Sequence, residues 1–369
     1  MALPKLKIGH YTSHLPIIQG GMGIRISGAN LAAAVANEGG IGIISAIGLG
    51  MNSPYFNPAE PNFGKRKKQF LKANQLALRD ELKKARKLSP QGILGVNVMV
   101  AVRDYEALVR TAVEYGANLI ISGAGLPFKL PEYTSENKAV ALVPIISSTR
   151  AAKIICQKWQ RNYARLPDAI VVENPRYAGG HLGAKTKDLN EPSVDATSVI
   201  PELLSYIHHE LDDAIPIIAA GGIGDRGDIH RALELGAKGV QIGTRFITTY
   251  ECDADDRYKV FHLNAKPDEV VIISSPVGLP GRALQNTFVQ QVLAEGTSNP
   301  QETCFVDCLK MCKFRDNRET YCILRALDRA SRGDVETGLI FSGSNAGKAQ
   351  HLISVAQLMH ELTGIESGT

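Results

Sequence analysis

The stretch IIAAGGIGDRGDIHRALELGAKGVQIGTRF, residues 217–246, constrains this chain more than any other part of it. Two short apolar runs each end abruptly in glycine. Residues 217–219 run into Gly221-Gly222, and residues 239–242 run into Gly243-Thr244. Between them a helix is predicted, with Asp225 as N-cap and Ile229, Ala232, Leu233 and Leu235 at helical spacing. The order is strand, glycine turn, helix, strand, glycine turn. Two such turns on consecutive parallel strands open at the same edge of a sheet. Glycine there lets backbone N–H groups approach a ligand that a Cβ would block. In a (β/α)8 barrel the loops after the last two strands form the usual phosphate site. The pattern therefore reads as a barrel gripping a phosphorylated cofactor, or as two tight turns with no ligand.

Six further apolar runs precede this stretch, at residues 15–19 (LPIIQ), 41–45 (IGIIS), 95–100 (GVNVMV), 119–122, 142–146 and 169–173, making eight strands in all. Helical patterns at about 27–37, 69–87, 105–115, 150–163 and 201–210 separate most of them. None of the eight alternates with period two, as expected for parallel strands covered on both faces. A doubly wound sheet is the alternative. Its G-x-G-x-x-G fingerprint is not met, because Gly20-Gly21-Met22-Gly23 has another spacing. The expected fold is α/β: a (β/α)8 TIM barrel over residues 1–250, with a mainly helical C-terminal extension over 251–369 packed on it as a lid. A length of 369 residues suits a barrel of roughly 250 plus an extension. Within the extension, 270–273 reads as a strand and 275–282 as a turn. Helices are predicted at 286–295, 304–313, 319–330 and 346–362. Residues 46–68 form a long loop rich in proline and asparagine, an insertion on the strand-end face. It ends in Lys65-Arg66-Lys67-Lys68, read either as a dock for an acidic carrier or phosphorylated substrate, or as a solvated helix start.

Charge is nearly balanced, 41 basic minus 37 acidic residues giving +4, so nothing calls for nucleic acid or an anionic membrane. The opening MALPKLKIGH lacks the apolar core of a signal peptide, and no apolar run approaches the roughly 20 residues of a membrane span. The expected location is cytoplasmic, which makes the six cysteines free thiols or ligands rather than disulfides. Cys304, Cys308 and Cys312 recur every fourth residue and Cys322 follows. On the predicted helix that spacing drifts about 40° per step, so three thiols share one face. They read as zinc or iron–sulfur ligands, or as small buried hydrophobes; the spacing matches no standard metal motif, and no metal is assigned.

His181, in Tyr177-Ala178-Gly179-Gly180-His181-Leu182-Gly183 just past the sixth strand, is the main candidate for chemistry. Imidazole exchanges a proton near neutral pH, and the flanking glycines admit a substrate or ring closely. The alternative is a histidine that only hydrogen-bonds its loop. His208, His209, His230, His262, His351 and His360 lie on helices or in the extension and read as surface or packing residues. Ser122 and Ser147-Ser148-Thr149 end strands and suit hydrogen bonds to a cofactor. Neither G-x-S-x-G nor H-E-x-x-H is present, and no paired-carboxylate site stands out, which favours chemistry carried by a bound organic cofactor.

The motifs PIIQGGMG (16–23), GVNV (95–98), AGGHLG (178–183), AGGIG (220–224) and GVQIGTRF (239–246) together resemble the nitronate monooxygenase family, formerly called 2-nitropropane dioxygenases. Flavin-dependent enoyl-acyl-carrier-protein reductases belong to the same superfamily. The resemblance covers residues 15–290 and implies FMN in the barrel. By that likeness Gly221, Gly222, Gly243 and Thr244 would hold the FMN phosphate. Gly21, Met22 and Gly23 would lie against the isoalloxazine. Asn97 would bond the ring or ribityl chain, and Ser147 or Ser148, together with Gly180, would fall at flavin-contacting positions. His181 matches the active-site histidine. The implied function is oxidation of alkyl nitronates with O2, His181 acting as acid or base on a small-molecule substrate. One alternative is an NAD(P)H-dependent reductase of enoyl thioesters or quinones, with an acyl carrier protein as partner. Another is a non-catalytic flavin-binding partner in a biosynthetic complex. A homodimer fits this reading. The 46–68 insertion and the sequence Glu173-Asn174-Pro175-Arg176-Tyr177 before the histidine depart from the family pattern and are expected to reshape the substrate pocket.

Overall fold

A computed structural model describes residues 3–211, 214–296 and 301–364. Eight parallel strands close a barrel: β1 (Ile17–Gln19), β2 (Ile41–Ser45), β3 (Ile93–Met99), β4 (Leu119–Gly123), β5 (Ala141–Ile146), β6 (Ile170–Glu173), β7 (Ile217–Ala220) and β8 (Gly239–Ile242). β8 returns to pair with β1, Ile18 facing Gln241. Alternate residues point in and out, and both faces are dry. Ile18, Ile41, Ile43, Ile121, Val143 and Val171 fill the interior, while Ile17, Ile44, Val96 and Ile120 pack on the helices. That double burial is why the strands are continuous apolar runs. Helices α1 (Ala29–Asn37), α2 (Phe63–Leu88), α3 (Tyr105–Glu114), α4 (Leu130–Tyr133), α5 (Thr149–Tyr163), α6 (Ala196–Tyr206), α7 (Arg226–Glu234) and α8 (Thr244–Ile247) surround it. Asp225 caps α7 in a reciprocal capping box with Asp228.

Two helices begin earlier than their periodicity suggested, because a capping residue lies upstream. Asn62 accepts from the Lys65 amide at 2.9 Å, so α2 absorbs the basic run and shortens the 46–68 loop. Asp195 caps α6, which accommodates Pro201 in its early turns and ends in a π-helical turn, Ile207–Leu211.

The chain after β8 is tied into the barrel. Asp253 accepts from the amides of Gly28 (2.8 Å) and Leu31 (3.1 Å), supplying the N-terminal cap that Gly28 cannot provide for α1. Helices α9 (Asp256–Asn264), α10 (Thr287–Glu295), α11 (Lys313–Asn317), α12 (Ile323–Ser331) and α13 (Val355–Thr363) follow, and α13 packs against α1, α7 and α8. Residues 270–284 form a β-hairpin, Val270–Ser274 with Pro280–Leu284. Its second strand pairs antiparallel with Gly180–His181, so a strand from the extension reaches back to the barrel mouth.

Two predicted helices of the extension are corrected. Residues 304–313 are irregular, and only Lys313–Asn317 is helical there. Long-range partners win over local periodicity: the Arg103 amide donates to the Cys308 carbonyl (2.9 Å) and the Lys310 amide to that of Ala101 (2.9 Å). Asp307, left-handed at φ +52°, gathers Lys67, Arg103 and Arg315. In the last predicted helix, residues 346–354 are not helical. Gly347 sits at φ +79° with no room for a Cβ, and α13 starts only after the Ser354 cap. The helix α9 had no counterpart in the sequence reading, and residues 365–369 of the extension lie outside the described residues.

Candidate active site

A cavity of about 260 Å³ opens at the C-terminal ends of the barrel strands. This is where an α/β barrel places its ligand, because the βα loops gather there. The turns after β1, β7 and β8 contribute Gly21, Met22, Gly23, Gly221, Gly222, Gly243 and Thr244 to its wall, and Asn97 on β3, Gly180 and His181 join them. Ser147 does not line the cavity. It is buried under Gly183, whose Cβ, were it present, would lie 2.0 Å from the Ser147 hydroxyl.

The glycine turns are built for close approach. Gly221 and Gly222 take φ +87° and +83°, which suits glycine. A Cβ on Gly221 would stand 2.6 Å from the Asn174 carbonyl, and one on Gly222 2.9 Å from Tyr177. Gly243 differs, since its nearest neighbour would be the Met22 sulfur at 3.5 Å, ordinary contact distance. Space, not backbone packing, lies above it. The Thr244 hydroxyl accepts from the Gly343 amide at 3.0 Å, leaving its own hydrogen to donate. Gly343, Ser342 and Asn345 of the extension complete this corner. At the β1 turn, Gly21 lies against Asn97, where a Cβ would come within 2.3 Å, and Gly23 against Ile47.

His181 is placed by the extension. Its backbone pairs with Gly281, its Nε2 lies 2.8 Å from the Ser275 hydroxyl, and its ring meets Phe341 edge-on with centroids 5.2 Å apart. The imidazole is half-buried and lines the cavity. Burial pushes its pKa down to about 4, so it is neutral across the ordinary pH range. The loop before it is held by Arg282, itself buried. That guanidinium donates to the carbonyls of Pro175 (3.1 Å), Arg176 (2.8 Å) and Ala178.

Three polar residues of the site were not singled out from the sequence. Glu173, at the end of β6, lines the cavity; burial raises its pKa to about 7, opposed by the positive charge of Arg282. Arg282 was noted only as the end of a turn. Gln241 lines the cavity from β8, and its Oε1 is buried with no hydrogen-bond partner. A lone glutamine in the apolar run GVQIG is the same signal that marked Asn97. An acceptor stranded in this way calls for a donor from whatever fills the cavity.

The other candidates lie apart from the cavity or are otherwise engaged. Arg66 donates to the carbonyls of Phe305 (3.0 Å) and Glu60 (2.6 Å), and Lys67 pairs with Asp307 at 2.5 Å, leaving Lys65 and Lys68 as the exposed part of the basic run. No helix among the described residues is long and apolar enough to cross a membrane.

Residues 5–364 match the nitronate monooxygenase family model. A protein of Staphylococcus haemolyticus described as a probable nitronate monooxygenase is 28% identical over 296 residues, covering 74% of this chain and 76% of that protein. A Staphylococcus aureus (strain Newman) protein of the same description is 28% identical over 306 residues, covering 75% and 77%. Among solved structures, FabK from Thermotoga maritima superposes with a TM-score of 0.69 at 25% identity, covering 96% of this chain and 92% of its own. Nitroalkane oxidase from Streptomyces ansochromogenes shares the fold, with a TM-score of 0.69 at 20% identity over 95% of both chains. The chain belongs to the nitronate monooxygenase family and is a flavin-dependent oxidoreductase.

Proposed function

We propose that this protein binds FMN and oxidises alkyl nitronates with dioxygen, with His181 as the active-site acid–base group. The observation that carries the reading is a neutral, half-buried imidazole, oriented by Ser275, in the same cavity as the glycine turns. The cavity suits the cofactor on its own terms. Gly221, Gly222, Gly243 and Thr244 would hold the phosphate, Gly21, Met22 and Gly23 would lie against the ring, and Asn97 and the stranded Gln241 acceptor would meet its polar edge. FMN would supply the two-way electron carrier between substrate and dioxygen.

The chain's own residues bind, orient and move protons. A nitronate arrives already deprotonated, and Arg282 holds the loop that carries His181 through the carbonyls of Pro175, Arg176 and Ala178. A neutral nitroalkane must first lose a proton, which an uncharged His181 can accept and an imidazolium cannot. Ile24, Ile47, Leu324 and Leu327 provide apolar walls that keep water from the reacting centre. The similarity to FabK supports a second reading, reduction of an enoyl thioester by NAD(P)H. Engagement of Arg66 and Lys67 by the extension removes half of the basic run that would greet an acidic carrier.

Anaerobic mixing separates the two. Rapid bleaching of the flavin by a nitronate, with little effect of NAD(P)H, is expected. Rapid bleaching by NAD(P)H alone would favour the reductase, and bleaching by neither would leave a non-catalytic flavin protein. A colourless preparation that FMN cannot reconstitute would overturn the cofactor assignment.

A further inference from the structure

Four of the six cysteines meet outside the catalytic cavity. The irregular segment 304–312 brings Cys304, Cys308 and Cys312 beside Cys322, the N-cap of α12, and all four line one small cavity. All four are free thiols. The walls between them are apolar, including Val306, Leu309, Phe314 and Ile323.

Several features set this pocket apart from an ordinary packed core. Cys312 and Cys322 stand at the N-caps of α11 and α12 and make no side-chain cap hydrogen bond there, so neither sulfur is engaged by its own helix. Lys67, Arg103 and Arg315 all converge on Asp307 in the same segment, with Arg315 also paired to Asp316, which pins this stretch in place. The segment also gives up a helix that its sequence would favour in order to reach this arrangement.

The size of the ligand follows from the placement. Among the described residues, no group of three or more His, Cys, Asp or Glu side chains is arranged to hold a single metal ion. Zinc would draw its sulfurs to about 2.3 Å from one point. An iron–sulfide core is a larger body that keeps its thiolates apart at its corners. Here the four cysteines line one cavity without any three of them gathering on a single point. Cys308 also lines the catalytic cavity, so the two sites share a wall.

We propose that Cys304, Cys308, Cys312 and Cys322 hold an iron–sulfur cluster set into the wall of the flavin cavity. The inference is independent of which substrate the flavin oxidises or reduces.

The test is made on the full chain, purified without oxygen and then treated with ferrous iron, sulfide and a thiol reductant. Iron and acid-labile sulfide are expected in equal amounts, about two or four of each per chain, with a Mössbauer spectrum of the iron-enriched protein characteristic of a cluster. The double variant Cys304→Ser/Cys312→Ser alters two thiols that do not line the flavin cavity. It should carry at least about tenfold less iron than the unaltered chain while keeping its flavin. One zinc per chain without sulfide would overturn the proposal. So would a reconstituted protein that contains neither metal and in which all four thiols still titrate. If the double variant does not fold, the metal and sulfide content of the unaltered chain decides alone.

Discussion

Two kinds of construction meet in the active-site cavity. The glycine corner is local: Gly221-Gly222 and Gly243-Thr244 lie on adjacent strands within one strand–helix–strand unit. The histidine wall is assembled from far apart in the chain. His181 depends on Ser275, Gly281 and Phe341, and its loop depends on Arg282, residues from 94 to 160 positions away. A local site is fixed as soon as its strands are. A long-range site can be adjusted by changing the extension without touching the barrel. The same scaffold can therefore keep its glycine corner while the histidine wall is changed, which is how one barrel can serve many reactions.

The comparison can be broken most severely at the corner. Gly221→Val places a β-branched residue at φ +87° with a Cβ 2.6 Å from a carbonyl. The backbone conformation alone costs about 1–2 kcal/mol, so flavin affinity should fall by at least about a hundredfold once the clash adds to it. A flavin titration and a thermal melt measure both effects. Gly243→Ala is the sharpening control. Its φ of −106° and free space tolerate a methyl group. The fold should melt as before while flavin binding weakens, and undiminished affinity would show that this glycine does not serve the ligand.

His181→Asn attacks the other construction. Turnover should fall by about 10²–10⁴-fold, the usual worth of a positioned acid or base, with the flavin still bound. Unchanged turnover would remove the histidine from the chemistry.

Arg282→Met acts one step further out, removing three donors to the carbonyls of residues 175–178. Charged hydrogen bonds of this kind are worth about 1.5–3 kcal/mol each, so the melting temperature should drop and kcat should fall by about tenfold. The KM for flavin should stay near its original value if the two constructions are independent. A parallel loss of flavin would show that the loop and the corner are one unit.

The smallest effects come from pH. Burial holds His181 down to about 4 and Glu173 up to about 7, so between pH 5 and 8 only the glutamate changes charge. The kcat profile should show one inflection near 7, and Glu173→Gln should abolish it. The two groups affect stability with opposite signs. His181 binds fewer protons folded than unfolded, so its contribution is present above its ordinary pKa of 6.5 and is lost as pH falls towards 4. Glu173 binds more protons folded, so its contribution is present below 4.5 and is lost as pH rises through about 7. Melting curves of the two single variants across that range would show the opposing slopes.

The parts of the site that were legible in the sequence share one property. Strands buried on both faces must be apolar throughout, so an interruption such as Asn97 stands out, and glycine at a strand end marks a backbone conformation or approach that other residues resist. Gln241 carries the same mark, a single polar residue in the apolar run GVQIG. Ser147 ended its strand in the expected place, yet the close packing of Gly183 buries it below the cavity floor. Glu173 gave no warning, since an acidic residue at a strand end is ordinary until depth and Arg282 set its charge.

By itself the sequence determined the barrel and its glycine corner, because both follow from interactions between residues near in the chain: apolar runs, caps such as Asp225, and turns that glycine favours. Only the tertiary structure decided the histidine wall and the path of residues 304–314. There a helical cysteine periodicity yields to Arg103, Lys67 and Arg315 closing on Asp307, and a two-residue strand at His181 finds its partner in Gly281 and Arg282. The physical reason is the same in both places. A few tenths of a kcal/mol per residue of helix propensity cannot compete with charged and backbone hydrogen bonds that form only when distant segments meet.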